Sequence, residues 1–184
     1  MTLLIIFAVI VVIGIFIASI YNKLVRLRNG VKSAWSDIDV YLKKRYNLVP
    51  GLVETVKGYA SHEKEVFEKV TEARSRAMQA GTPNEAARSD NMLKDTLKSL
   101  FAVAEAYPEL KANQNFLQFQ KQFQEIEDSI ESARRYYNAV VRDFNILIES
   151  FPSNIIASMF SFKQEEFFEL DDDEQRQAIR PDFS

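Results

Sequence analysis

From Leu3 to Ile20 the chain reads LLIIFAVIVVIGIFIASI, 18 residues without a charge. Water does not tolerate such a run, and a length of ~17–25 apolar residues is what a helix needs to cross a bilayer. Fourteen of the 18 are Leu, Ile, Val or Phe. At about −0.3 to −0.6 kcal/mol each, insertion is favoured by roughly 4–8 kcal/mol, an upper limit because these are helix-centre values. A cleaved signal peptide would carry its basic residues ahead of a shorter apolar stretch and end in a small-residue site. Here Lys23, Arg26, Arg28 and Lys32 follow the run instead. The positive-inside rule then expects the N-terminus outside and the rest of the chain in the cytoplasm. The same four side chains are candidate contacts to anionic lipid.

Roughly 160 residues remain after the span, enough for one domain with a hydrophobic core. Five Gly and five Pro in 184 residues is sparse punctuation and favours a few long elements. The chain has no Cys, which excludes disulfides and Cys-ligated zinc. A net charge of −3 leaves no basic footprint for nucleic acid.

Beyond the span, apolar residues fall at Leu24, Leu27, Val31, Ala34, Trp35, Ile38, Tyr41, Leu42, Leu48, Val49, Leu52, Val56 and Tyr59. This is the stripe of a core-facing helix. It keeps its phase across Asn29-Gly30 and Pro50-Gly51, which predicts one continued helix with a kink at Pro50. Gly58 and Ser61 predict a break, with Ser61 as N-cap of a second helix whose stripe is Val66, Val70, Ala73, Ala77 and Ala80, the alternative being one very long helix, since the phase runs on through Tyr59 and Val66. Gly81-Thr82-Pro83-Asn84-Glu85 marks a third helix, with Thr82 as cap, Pro83 at its first position and Glu85 as capping-box partner. Its apolar face is Ala86, Leu93, Leu97, Leu100 and Ala104, and Tyr107-Pro108 closes it. The fourth stripe runs Phe116, Phe119, Phe123, Ile126, Ile130, Ala133, Tyr137, Val140, Phe144, Leu147, Phe151 in unbroken 3,4 spacing. It predicts a long helix from Asn113 to Phe151 with a bundle or coiled-coil seam.

The pattern as a whole predicts an all-α chain, an N-terminal transmembrane helix followed by a long antiparallel four-helix bundle. Its parts are an anchor over 1–22, the bundle over 23–151, an apolar and aromatic segment over 152–170 and an acidic tail over 171–184. In an up-and-down arrangement residue 45 faces the region near residue 130. Arg45 occupies a stripe position where a bare charge is costly. It is expected to pair with Glu127 or Glu131, the alternative being a stem that snorkels to water. The same arrangement returns the chain after Pro152 towards the bilayer. There Ile155, Ile156, Met159, Phe160 and Phe162 are candidate interface residues, for membrane or for a second subunit, unless the segment folds back on the core.

Catalytic chemistry finds few residues to work with. His62 is the single histidine, and a di-metal helical bundle needs two, each with a Glu three residues earlier, where Tyr59 stands here. The sequence has no Gly-rich phosphate loop or nucleophile elbow. Asp37 and Asp39, two residues apart, cannot share a helix face. The reading is therefore of a protein without catalytic, cofactor or metal residues.

Several blocks resemble the LemA family: Tyr21-Asn22-Lys23-Leu24-Val25, Ala34-Trp35-Ser36-Asp37-Ile38-Asp39-Val40, Leu48-Val49-Pro50-Gly51-Leu52-Val53, Val56-Lys57-Gly58-Tyr59-Ala60-Ser61-His62-Glu63 and Ala73-Arg74. Glu105-Ala106-Tyr107-Pro108-Glu109-Leu110, Ala133-Arg134-Arg135-Tyr136-Tyr137-Asn138 and Phe151-Pro152-Ser153-Asn154 continue it. The resemblance implies a bacterial inner-membrane protein with an N-out anchor, a cytoplasmic helical bundle and no assigned activity. The anchor in line with a rigid helix, the long fourth helix and the aromatic segment near the bilayer point to a self-associating scaffold whose partners are the bilayer and further copies, and some relatives of the family are linked to making or shaping internal membranes. Relatives near genes for membrane proteases imply the alternative, a regulatory adaptor for another membrane protein. Gly51, where the family pattern has Asn, and Tyr46 and Asn47 depart from it.

Overall fold

The computed structural model describes residues 1–168, and all regular structure among them is helical. The elements are α1 (Thr2–Lys57), α2 (Lys64–Gln79), α3 (Pro83–Glu105), α4 (Pro108–Lys111), α5 (Gln114–Glu149) and α6 (Ser153–Met159). The acidic tail 171–184 lies outside the described residues.

α1 is a single helix of 56 residues. It absorbs both turn signals, because the apolar stripe on either side of Asn29-Gly30 and Pro50-Gly51 gains more from continuous burial than those residues cost in propensity. The break after Lys57 falls where Gly58 and Ser61 place it, but Ser61 is not the cap. Glu63 occupies that position and makes no side-chain cap hydrogen bond. α2 buries Phe67, Val70, Ala73 and Ala77, so Phe67 replaces Val66 on the inner face. The start of α3 matches its sequence signature. Thr82 Oγ1 accepts from Glu85 N at 3.2 Å, and Glu85 Oε2 accepts from Thr82 N at 3.2 Å. The short α4 has no counterpart in the periodicity. Asn113 opens α5 by accepting from the amides of Asn115 and Phe116. α5 ends at Glu149, because Pro152 has no N–H with which to continue it. Phe151, placed in the heptad seam by its spacing, lies beyond the helix and is 80% exposed. Near the C-terminal end of α5 the inner face has also drifted from Val140 to the fully buried Val141, as a straight helix drifts against a 3.5-residue repeat.

The chain divides into two compact units. The first joins Met1–Arg45 with Gln120–Phe167. Within it α1 and α5 are antiparallel: Gly30 lies against Val140, Trp35 against Tyr137 and Arg45 against Glu127. Leu24, Val31, Ala34, Ile38 and Leu42 of α1 are buried with Phe123, Ile130, Tyr137, Val141 and Phe144 of α5.

The second unit gathers Tyr46–Phe119 together with Phe168. Its core is Val49, Leu52 and Val56 of α1 with Val70, Leu93, Leu97, Leu100, Leu110 and Phe116. Pro50 cannot donate to the Tyr46 carbonyl four residues earlier, and Arg74 Nε of α2 donates to that carbonyl instead at 2.8 Å. Gly51 lets the next turn pack closely. A Cβ there would sit 2.8 Å from the ring of Phe119.

Candidate functional site

The residues singled out by sequence concentrate in the first unit, at the end of α1 that follows the apolar run. No residue of that run is buried within the chain, unlike the core helix of a soluble fold. Lys23, Arg26 and Lys32 are exposed immediately after it, on one helix with it. Arg28 is drawn inward. Its guanidinium lies over the Phe162 ring, 5.0 Å from the centroid, and its buried Nε has no hydrogen-bond partner. Among the four expected lipid contacts, Arg28 thus also packs on an aromatic ring.

The C-terminal segment folds back on this end. Ser153, buried, shares its one hydroxyl proton between the carbonyls of Leu147 at 2.6 Å and Ser150 at 2.9 Å, capping the last turn of α5. α6 then closes in a Schellman turn: Phe162 N reaches Ala157 O at 2.9 Å and Ser161 N reaches Ser158 O at 3.1 Å. Ser161 takes the left-handed position at φ 56°, which Gly usually fills. The turn aims Phe162 inward, where its ring meets those of Phe144 and Tyr21 at 6.3 and 6.0 Å. Of the five expected interface residues, Ile156 and Phe162 are thus corrected to buried positions in the chain's own unit. Their spacing gave no sign of the turn that withdraws them. Ile155, Met159 and Phe160 remain exposed, and the Phe160 ring lies 4.6 Å from that of Tyr21.

Two side chains of α5 hold the extended residues that follow, and neither role is visible in the sequence. Asn145 Nδ2 donates to Glu165 O at 2.9 Å while its Oδ1 accepts from Glu165 N at 3.0 Å, so one amide replaces a strand partner. Tyr137 Oη donates to Glu166 O at 2.7 Å. Burial pushes the Tyr137 phenol up to about 12, and the charges of Glu165 and Glu166 push the same way. A phenol held protonated above its ordinary 10.0 favours the fold fully below pH 10 and loses that contribution as pH rises through 12. Thermal unfolding followed across that range should therefore show a loss of about 1–3 kcal/mol that Tyr137→Phe does not show.

Deeper along the unit, Arg45 is 2% exposed and its Nη2 donates to Glu127 Oε2. Glu131 pairs instead with Arg135 at 2.5 Å, one turn along its own helix. A shallow groove of about 570 Å³ runs beside this region, lined by Asp37, Tyr41, Asp128, Ser129, Ser132, Ala133 and Tyr136. Asp39 points elsewhere, to Lys43 at 2.6 Å. In the second unit His62 is exposed. Among the described residues no three His, Asp or Glu side chains converge to hold a metal ion.

What this arrangement offers is a surface: an apolar helix, a basic collar and an aromatic elbow fixed beside it. Residues 34–183 match the LemA family. The chain belongs to the LemA family. The LemA protein of Metamycoplasma hominis is 30% identical over 140 residues, covering 74% of this chain and 63% of that protein. Magnetosome protein MamQ 2 of Paramagnetospirillum magneticum is 25% identical over 183 residues, covering 84% of this chain and 67% of its own length. Magnetosome protein MamQ of Magnetospirillum gryphiswaldense is 22% identical over 174 residues, covering 80% and 64%. The chain thus spans about two-thirds of the length of these relatives. The family match begins at Ala34 and so takes in the aromatic elbow and both α5 clamps, but not the apolar run.

Proposed function

We propose that this LemA-family chain is a non-enzymatic scaffold, anchored by α1 in the bacterial inner membrane, with its N-terminus outside and its helical part in the cytoplasm. It associates with further copies in the plane of the bilayer and so organises or shapes membrane. The observation that carries this reading is the unbroken 56-residue α1. An apolar run that continues as helix into a packed unit, without a loop, transmits the position of the anchor rigidly to the domain. Exposed apolar side chains beyond the anchor, Val40, Tyr136 and Ile146 among them, supply surface for contact between copies. The magnetosome relatives are named for an assembly and not for a reaction, which agrees with a structural role.

Negative-stain microscopy of the full chain, in detergent and in liposomes, is expected to show regular assemblies or deformed vesicles. Monomers on undisturbed vesicles would count against the scaffold. Crosslinking in cells provides a second test: a scaffold captures mainly itself. Capture of a different membrane protein would favour the adaptor.

A further inference from the structure

The apolar run Leu3–Ile20 rises about 27 Å as a helix, close to the ~30 Å hydrocarbon thickness of a bilayer. Tyr21 is the next residue and Lys23 the first charge, so Tyr21 falls at the membrane–water boundary, where tyrosines concentrate. The depth of Tyr21 then fixes the depth of whatever touches it. Phe160 lies with its ring 4.6 Å from Tyr21, a distance within the thickness of the headgroup layer whatever the tilt of α1. Phe160, Ile155 and Met159 are 48%, 55% and 68% exposed. These are costly side chains to show to water, and α6 is held there by Ser153, by the Schellman turn and by the buried Phe162.

From this placement we infer that α6 is a second membrane contact, a short wedge whose exposed apolar residues enter the headgroup–acyl boundary of the bilayer that α1 crosses. Lys23 and Arg26, exposed on α1 just after Tyr21, match anionic headgroups. The inference rests on the anchor assigned under the proposed function and adds to it a named element inserted on the cytoplasmic side only. Two contacts at one boundary fix the rotation of α1 as well as its depth, which a single helix does not do.

The test places one tryptophan at a time in the full chain, in a Trp35→Phe background. The protein is reconstituted into phosphatidylcholine–phosphatidylglycerol vesicles with lipid brominated near the glycerol end of its chains. Met159→Trp is expected to lose roughly half or more of its fluorescence to the brominated lipid and to resist aqueous iodide, because a wedge of this type sits ~5–10 Å into the boundary. Native Trp35, 14 residues past Tyr21 and about 21 Å further along α1, should be indifferent to the lipid. Quenching of Met159→Trp by iodide and not by lipid overturns the inference. So does indifference to both, which would mean that protein covers the site. Phe7→Trp separates the two readings: if it escapes brominated lipid the anchor fails, and if it alone is quenched only the wedge fails.

Discussion

Glu127→Ala is expected to destabilise the protein by about 2–4 kcal/mol, while Arg45→Met, on the other side of the same ion pair, is expected to cost less than about 1 kcal/mol. The asymmetry follows from where each charge sits. The Arg45 side chain is 3% exposed and the Glu127 side chain 32%. Removing Glu127 takes a countercharge from a guanidinium that cannot reach water. Removing Arg45 leaves a carboxylate that can, and methionine restores most of the apolar volume of the arginine stem. Thermal unfolding of the full chain in detergent, read by circular dichroism, checks the pair. The Arg45→Met/Glu127→Ala double variant should return close to the parent, since neither charge remains buried. Equal costs for the two single changes would mean that the pair acts by packing and not by charge.

This pair was legible in the sequence because two simple rules converge on it. A charge in an apolar stripe needs a partner, and an antiparallel register names the candidates. The choice between Glu127 and Glu131 was not legible, being decided by Arg135, which takes Glu131 one turn away. Helices α1, α3 and α5 were readable for a related reason: periodicity and caps are local, and Thr82 with Glu85 carries its own geometry. Glu63 taking the cap position from Ser61 was not, since a helix start without a cap bond leaves no signature. The candidate site was legible as composition alone. The aromatic run after Pro152 announces a surface, but Ile156 and Phe162 are buried by a Schellman turn at a serine, and Asn145 and Tyr137 hold backbone, which any residue supplies. Interactions with backbone leave no pattern in the partner sequence. That is why both clamps appear only in three dimensions.

The second large effect concerns Pro50. Inside α1 it leaves the Tyr46 carbonyl without its helical donor, and Arg74 of α2 supplies the substitute. Arg74→Met is therefore expected to destabilise by about 1.5–3 kcal/mol, the range for a hydrogen bond from a charged donor. The same change in a Pro50→Ala background should cost less by about 1 kcal/mol or more, because an alanine at that position restores the N–H that the carbonyl lacks. Pro50→Ala alone should not destabilise, given the ~3 kcal/mol by which a helix interior prefers Ala to Pro. A double-mutant cycle by thermal unfolding measures the coupling directly. If Arg74→Met costs the same with and without Pro50, the arginine stabilises α2 by other contacts and its bond to Tyr46 is incidental. If the coupling is found, the proline and the arginine are one device. The helix that carries the anchor into the domain then lacks one backbone hydrogen bond and is pinned at that carbonyl by a neighbouring helix.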